Sequence, residues 1–337
     1  MSKTTQNKIN IFPVLSLTFL GLIFLVTALV LFNLQFIKDN FVIWSNPTSP
    51  AVLSLVEDGG MNQKGQFYYK ASVPELSSAE DFNEVCRQDR EQSDAILGCY
   101  TGQRIYVYDI KDERLAGIRE VTAVHEGLHA VYERLSAGDK NYVNNLLDTE
   151  YKKLPNDDEL RERMAYYERT EPGQFYNELH SIIATEKSEI SRSLEEYYGQ
   201  YFNDRQKVVK LHLAYAGTIK SLTEKAEALN AEITTQKTQL EAKINKYNND
   251  IENLNSSIAT FNINAGTAGY YKSQAEFLQA RRQLSYQASL IDADYNLINA
   301  EIKRHEELVN EYNETAVQVN EVNSSLNSTM APKPSAP

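Results

Sequence analysis

The C-terminal third of the sequence repeats an apolar residue every seven positions, and few folds accept that pattern. Ile219, Ala226, Ile233, Leu240, Tyr247, Leu254 and Phe261 keep the spacing unbroken. Leu222 and Leu229 form a second seam early on, and Ile244, Ile251 and Ile258 supply it after a shift of one position near Gln236. Residues 264–271, NAGTAGYY, interrupt the run with Gly266 and Gly269. The spacing then resumes through Phe277, Leu284, Ile291, Ile298, His305, Tyr312, Val319 and Leu326, with Ala288, Tyr295, Ile302, Val309 and Ala316 as companions. Heptads on both sides of one glycine break predict two long helices folded back as an antiparallel coiled-coil hairpin over 204–326, with its turn near 264–271. Each arm would extend roughly 80 Å at the rise of an α-helix. One continuous helix pairing as a parallel homodimer also fits the heptads, but the two glycines disfavour it. His305, at a core position, reads as a register-setting polar residue. A hairpin of this kind serves as a spacer, a self-association arm or a docking arm for an envelope protein partner, and the residues do not choose among these.

The opposite end of the chain is constrained differently. No charge lies between Lys8 and Lys38, and the apolar run over 9–37 exceeds the roughly 20 residues that cross a hydrocarbon core as a helix. Pro13 falls in the first turn, where a missing N–H costs least. No small-x-small cleavage site follows, so the run reads as an uncleaved, single-pass signal anchor rather than a removed signal peptide. Lys3 and Lys8 precede it in a short leader, 1–8, that the positive-inside tendency keeps in the cytoplasm. The rest of the chain is then expected outside the cytoplasm, attached to the cell membrane through residues 9–37. In an oxidising compartment the only two cysteines, Cys86 and Cys99, are a possible disulfide. A net charge of -12 argues against nucleic acid as a partner.

Between these ends, residues 38–52 include the turn-rich SNPTSPAV and read as a linker. Polar helical segments are expected around 77–93. Residues 104–110, RIYVYDI, alternate β-branched and aromatic side chains as a strand does. A helix then starts near Ile118. In it Val121, Val124, Leu128, Val131 and Leu135 recur at spacings of three and four as a buried stripe, while His125, His129 and Tyr132 form a second stripe turned from the first. The two histidines sit one helical turn apart, a spacing that lets both imidazoles bind one zinc ion, with Glu126 beside them as a general base.

A strand followed directly by an HExxH helix resembles the zincin metallopeptidases, over roughly 99–201 of this chain. The resemblance implies an α+β fold, mostly helical with a small sheet, and an edge strand that holds a peptide substrate by β-augmentation. It implies Zn2+ as cofactor, His125 and His129 as metal ligands, and Glu126 as the catalytic base. The longer HExxHxxGxxH pattern is absent, because Tyr132 and Leu135 occupy its glycine and third-histidine places.

The third ligand therefore lies elsewhere. Polar helices are expected over 141–153 and from about Asp158 to Arg169, and another begins at Gln174. In that last helix Asn177, Glu178 and Ser181 spell NExxS, which resembles the second helix of the gluzincins and implies Glu178 as third metal ligand. Ile182 stands where those enzymes carry an aspartate. Glu186, two turns further on, is the alternative ligand. His180 and Tyr198 are candidates to stabilise an oxyanion, with Tyr197 and Tyr201 as further choices.

The reading is a membrane-anchored zinc metallopeptidase acting on extracytoplasmic protein or peptide substrates. Its domains are a zincin-like domain over 53–203, the hairpin over 204–326 and a disordered tail over 327–337. The alternative is an envelope scaffold or adhesion protein with an inactive or structural zincin-like domain and an interaction coiled coil.

Overall fold

The computed structural model describes residues 11–86 and 97–328, with side chains from Phe19 onward. The chain divides into two compact units, one within Met1–Ala216 and Ser324–Pro337, the other Gly217–Asn323. The leader 1–8 and all of the expected tail beyond 328 lie outside the described residues.

The apolar run forms α1 (Ile11–Phe32), which stops at Asn33, where the side-chain amide donates to Leu29 O at 2.8 Å. The chain restarts at once as α2 (Leu34–Ser45). No single described helix is long and apolar enough to cross a membrane; Leu22–Phe32 and Leu34–Ser45 meet that requirement together, bent by 66°. The expected linker over 38–52 is largely helical. The second half of α2 fills its start, and α3 (Pro50–Asp58) opens at Pro50, with Ser49 Oγ accepting the Val52 N–H. Proline at the first helical position and serine before it are the ordinary signals of a helix start. Packing replaces the linker here: Asp39 of α2 is 3% exposed and bonded to Arg134.

Asn62 caps α4 (Gln63–Lys70) by accepting from the N–H groups of Lys64 and Gly65. Next come β1 (Glu75–Ser77) and α5 (Ala79–Cys86). The helix expected over 77–93 is thus present as far as Cys86, and its remainder lies outside the described residues. After them β2 (Gly98–Tyr100) and β3 (Ile105–Tyr108) complete a sheet in the order β1-β3-β2. β3 pairs parallel with β1 and antiparallel with β2. The strand read from RIYVYDI is real but central, with both edges bonded. It cannot take up another strand. Among the described residues the outer edge beside it belongs to β2.

Gly117, with φ 96°, turns the chain into α6 (Ile118–Glu133), a backbone conformation that costs an L side chain energy. Val121, Val124, Leu128 and Val131 are buried as the spacing predicts, and Leu135 is partly buried against the same core. Each such side chain contributes about 1.5–3 kcal/mol when fully buried. α6 packs on α3, α4 and both β2 and β3, and on α9 at another face. Ser136 caps α7 (Ala137–Lys152) one turn earlier than the sequence pattern suggests, because its Oγ accepts the Asp139 N–H. Asp157 caps α8 (Asp158–Thr170) through the Leu160 N–H. α9 (Phe175–Glu186) and α10 (Arg192–Tyr198) complete the packing. Mostly helix with a small sheet is the observed class.

The second unit is a hairpin made by the greater part of two long helices, α11 (Gln206–Gly266) and α12 (Gln274–Leu326); the start of α11, with buried Val208 and Val209, belongs to the first unit. Cross-arm partners run in opposite directions: Lys225 with Glu311, Lys243 with Glu301, Lys246 with Asp294, and Tyr247 with Tyr295. Phe261 meets Phe277 at the closed end, so the arms are antiparallel. The predicted heptad residues are the less exposed ones along each arm; Tyr295 and Ile258 are exceptions at 52% and 38% exposure. A continuous helix is excluded by the turn between Gly266 and Gln274, where Gly269 has φ 76°.

Candidate metal centre

α6 and α9 place the site. His125 and His129 leave α6 one turn apart, and Glu178 comes from the first turn of α9 facing them. The three offer ligand atoms that all lie within 4.8 Å of one another. Glu178 Oε2 is 3.7 Å from His125 Nε2, and Oε1 is 3.6 Å from His129 Nε2. Two donors on one tetrahedral zinc stand about 3.4 Å apart, so this spacing is that of a ligand shell rather than of direct hydrogen bonds. Two imidazoles and a carboxylate suit a divalent metal ion, and this group can hold one.

Neighbouring groups fix the donors. Asn177 Oδ1 stands 3.0 Å from His129 Nδ1, and Ser181 Oγ 3.4 Å. A proton on Nδ1 donated to Asn177 leaves Nε2 as the lone-pair nitrogen, aimed at Glu178. Asn177 is itself held, donating its amide to Gln174 Oε1 at 2.9 Å. For His125 burial disfavours the charged ring, but the carboxylates of Glu178, Glu126 and Glu186 outweigh it and raise the pKa.

Glu126 is 6% exposed and lies against the backbone of β2. A Cβ added to Gly98 would come 2.7 Å from Glu126 Oε1 and 2.6 Å from Thr122 Cγ2, so only glycine permits this approach. Leu97 O accepts from the Tyr108 N–H, and the Thr101 N–H donates to Arg104 O. In an antiparallel ladder those bonds put the polar groups of Gly98 and Tyr100 on the outer edge of β2. Among the described residues no strand pairs with that edge. Cys99, between them, is disulfide-bonded to Cys86 at the end of α5, with Cα atoms 5.9 Å apart.

The metal-binding group opens on a cleft of about 1020 Å³, bordered by Leu97–Tyr100 on one side and by α8 on the other. Carboxylates dominate its lining: Glu133, Glu159, Glu162, Glu171 and Glu186 join Glu126 and Glu178, against Lys140 and Arg163 as cations. Arg163 is already paired with Glu186, and Lys140 Nζ sits 5.3 Å from the centre of the Tyr132 ring.

The alternatives from the sequence do not join that group. Glu186 forms a two-bond pair with the Arg163 guanidinium and is not part of the metal-binding group. His180 and Tyr198 are fully buried behind the cleft rather than lining it. Tyr198 Oη donates to His180 O at 2.8 Å, and His180 Nε2 meets Tyr197 Oη at 3.0 Å. Burial pushes the His180 pKa down to about 3, helped by His129 and then His125, so the ring is neutral. Its role is in the core. The tyrosine that does reach the cleft from the C-terminal side is Tyr215, hydrogen-bonded to His212 Nδ1 at 3.0 Å; burial first, then Glu186, raises its pKa. Sequence reasoning missed Tyr215, Gly98 and the part played by Asn177. Only Asn177 carried a usable signal, its place beside Glu178. No family model, curated protein or solved structure matches the chain.

Proposed function

We propose that the chain is a membrane-anchored, zinc-dependent metallopeptidase of the HExxH type, zincin-like in its first unit, that hydrolyses extracytoplasmic protein or peptide substrates. The observation that carries this reading is the convergence of His125, His129 and Glu178, with Glu126 beside them, at a cleft bordered by a strand edge that no described strand pairs. The disulfide between Cys86 and Cys99 supports an oxidising, extracytoplasmic setting.

In this account His125, His129 and Glu178 would hold the zinc ion, the histidines through the nitrogens that face Glu178. When bound, zinc polarises a scissile carbonyl and makes water acidic enough to deprotonate near neutrality. The outward N–H and C=O groups of Gly98 and Tyr100 pair with the substrate backbone as an added strand. Glu126 takes a proton from the attacking water on its carboxylate and passes it to the departing amine nitrogen. Contact with Gly98 keeps the base beside the strand that carries the substrate. The tilt of the lining towards carboxylates favours substrates with basic side chains near the cleaved bond.

The test is zinc content together with peptide cleavage by purified protein. Stoichiometric zinc and cleavage that chelator removes and zinc restores support the reading. Stoichiometric zinc with no cleavage across varied peptides would instead point to a scaffold with a structural metal, and absence of bound metal would overturn the site altogether.

A further inference from the structure

α2 has two opposed faces. On one, Asp39 is 3% exposed and accepts from Arg134 Nε at 3.1 Å and from Gln35 Nε2 at 3.0 Å, and beside it Phe36, 59% exposed, stacks one side of its ring on Phe67 with ring centres 5.6 Å apart. On the other, Leu34, Ile37, Phe41 and Trp44 follow one another at spacings of three and four, and are 41%, 45%, 64% and 79% exposed. At 100° per residue these four form a single stripe, with Asp39 on the far side of the helix. A stripe of this size left in water is a mark of an interaction surface rather than of a solvent face.

Its continuity with α1 says what covers it. From Phe19 to Phe32, α1 exposes Phe, Leu, Ile and Val on every side, the property of a helix meant for lipid. The chain then bends by 66°, and past the bend four of the five exposed large apolar side chains gather on this stripe, with exposed Lys38 at its margin and Phe36 off it. A helix that leaves an apolar segment at a steep angle, keeps one apolar stripe and ends it with Phe41 and Trp44 has the layout of an interfacial helix, whose aromatic rings favour the headgroup level.

We propose that α2 lies in the membrane–water interface, with Leu34, Ile37, Phe41 and Trp44 sunk into the boundary between headgroups and acyl chains. This rests on α1 being the membrane anchor. The consequence reaches the metal centre: Arg134, bonded to the far side of α2, directly follows the last residue of α6. The bilayer surface therefore orients the helix that carries His125, Glu126 and His129, and the first unit is docked on the membrane rather than tethered to it.

Trp44 is the chain's single tryptophan, so its fluorescence reports on α2 alone. The full chain would be reconstituted into phosphatidylcholine vesicles containing lipids brominated either near the headgroup or deep in the acyl chain. The expected result is co-flotation with vesicles, blue-shifted emission, and stronger quenching by the shallow bromines than by the deep ones. Co-flotation with water-like emission and no bromine quenching would overturn the proposal while leaving the anchor intact. Blue-shifted emission without bromine quenching would overturn it in favour of a protein cover, such as a second copy of the chain. Strongest quenching by deep bromines would overturn it by making α2 part of the span. Failure to float with the vesicles would remove the anchor and the proposal together.

Discussion

Asn177 Oδ1 lies 3.0 Å from His129 Nδ1, immediately before the residue whose carboxylate faces His129 Nε2. One turn of α9 therefore contributes both a carboxylate of the group that can hold a metal ion and a partner for the far nitrogen of His129. Asn177→Ala should weaken metal binding by about 10–100-fold, the usual loss when the partner of a ligating histidine is removed. Thermal unfolding of the metal-free protein should change little, since Asn177 is not in the buried core. Competition against a chelator of known affinity measures the first effect and a melting curve the second.

Glu178 and Glu186 should separate cleanly. Glu178→Ala removes one of three ligands and should abolish stoichiometric metal. Glu186→Ala should retain metal and instead lower stability by about 1–3 kcal/mol, because it takes the two-bond carboxylate partner from the partly exposed Arg163 guanidinium. Metal analysis and urea denaturation of both variants check the pair of outcomes.

Gly98→Ala tests the contact between β2 and Glu126. The new methyl group meets Thr122 and the Glu126 carboxylate at distances no Cβ tolerates, so the base must shift. A displacement of about 1 Å at a reacting group typically costs about 100-fold in rate. The expected outcome is that drop in kcat for peptide cleavage, with metal content unchanged because neither histidine moves.

Asp39 and Arg134 form a buried ion pair between α2 and the end of α6, their side chains 4% and 9% exposed. Asp39→Ala should destabilise the first unit by about 3–5 kcal/mol, the cost of leaving one buried charge alone. The double variant Asp39→Leu/Arg134→Leu should recover much of that loss. Urea denaturation of the two variants beside wild type measures both.

Periodic features were legible in the sequence because their physics is local. The heptads from Ile219 to Phe261 and from Phe277 to Leu326 required only side-chain spacing, and so did the buried stripe Val121, Val124, Leu128 and Val131. The His125 and His129 pair was legible from its i, i+4 spacing on one helix, whereas Glu178 was reached only through the resemblance of its NExxS setting to the gluzincin second helix. Partners distant in sequence were not. Nothing near Asp39 announces Arg134, and nothing near Glu186 announces Arg163. β2 was also hidden, since three residues reading Gly-Cys-Tyr show no alternation, and so the central β3 was mistaken for the edge. His180 and Tyr198 look chemically apt beside Glu178, yet only packing shows that they face the core.

The most direct measurement of the central claim is peptide cleavage and zinc content of Glu126→Gln beside wild type. The exchange keeps the size of the side chain and removes its capacity to take a proton. The account predicts that the variant binds zinc as wild type does and loses cleavage by at least about 100-fold, as expected for a general base. Cleavage at the wild-type rate by the zinc-loaded variant would contradict it.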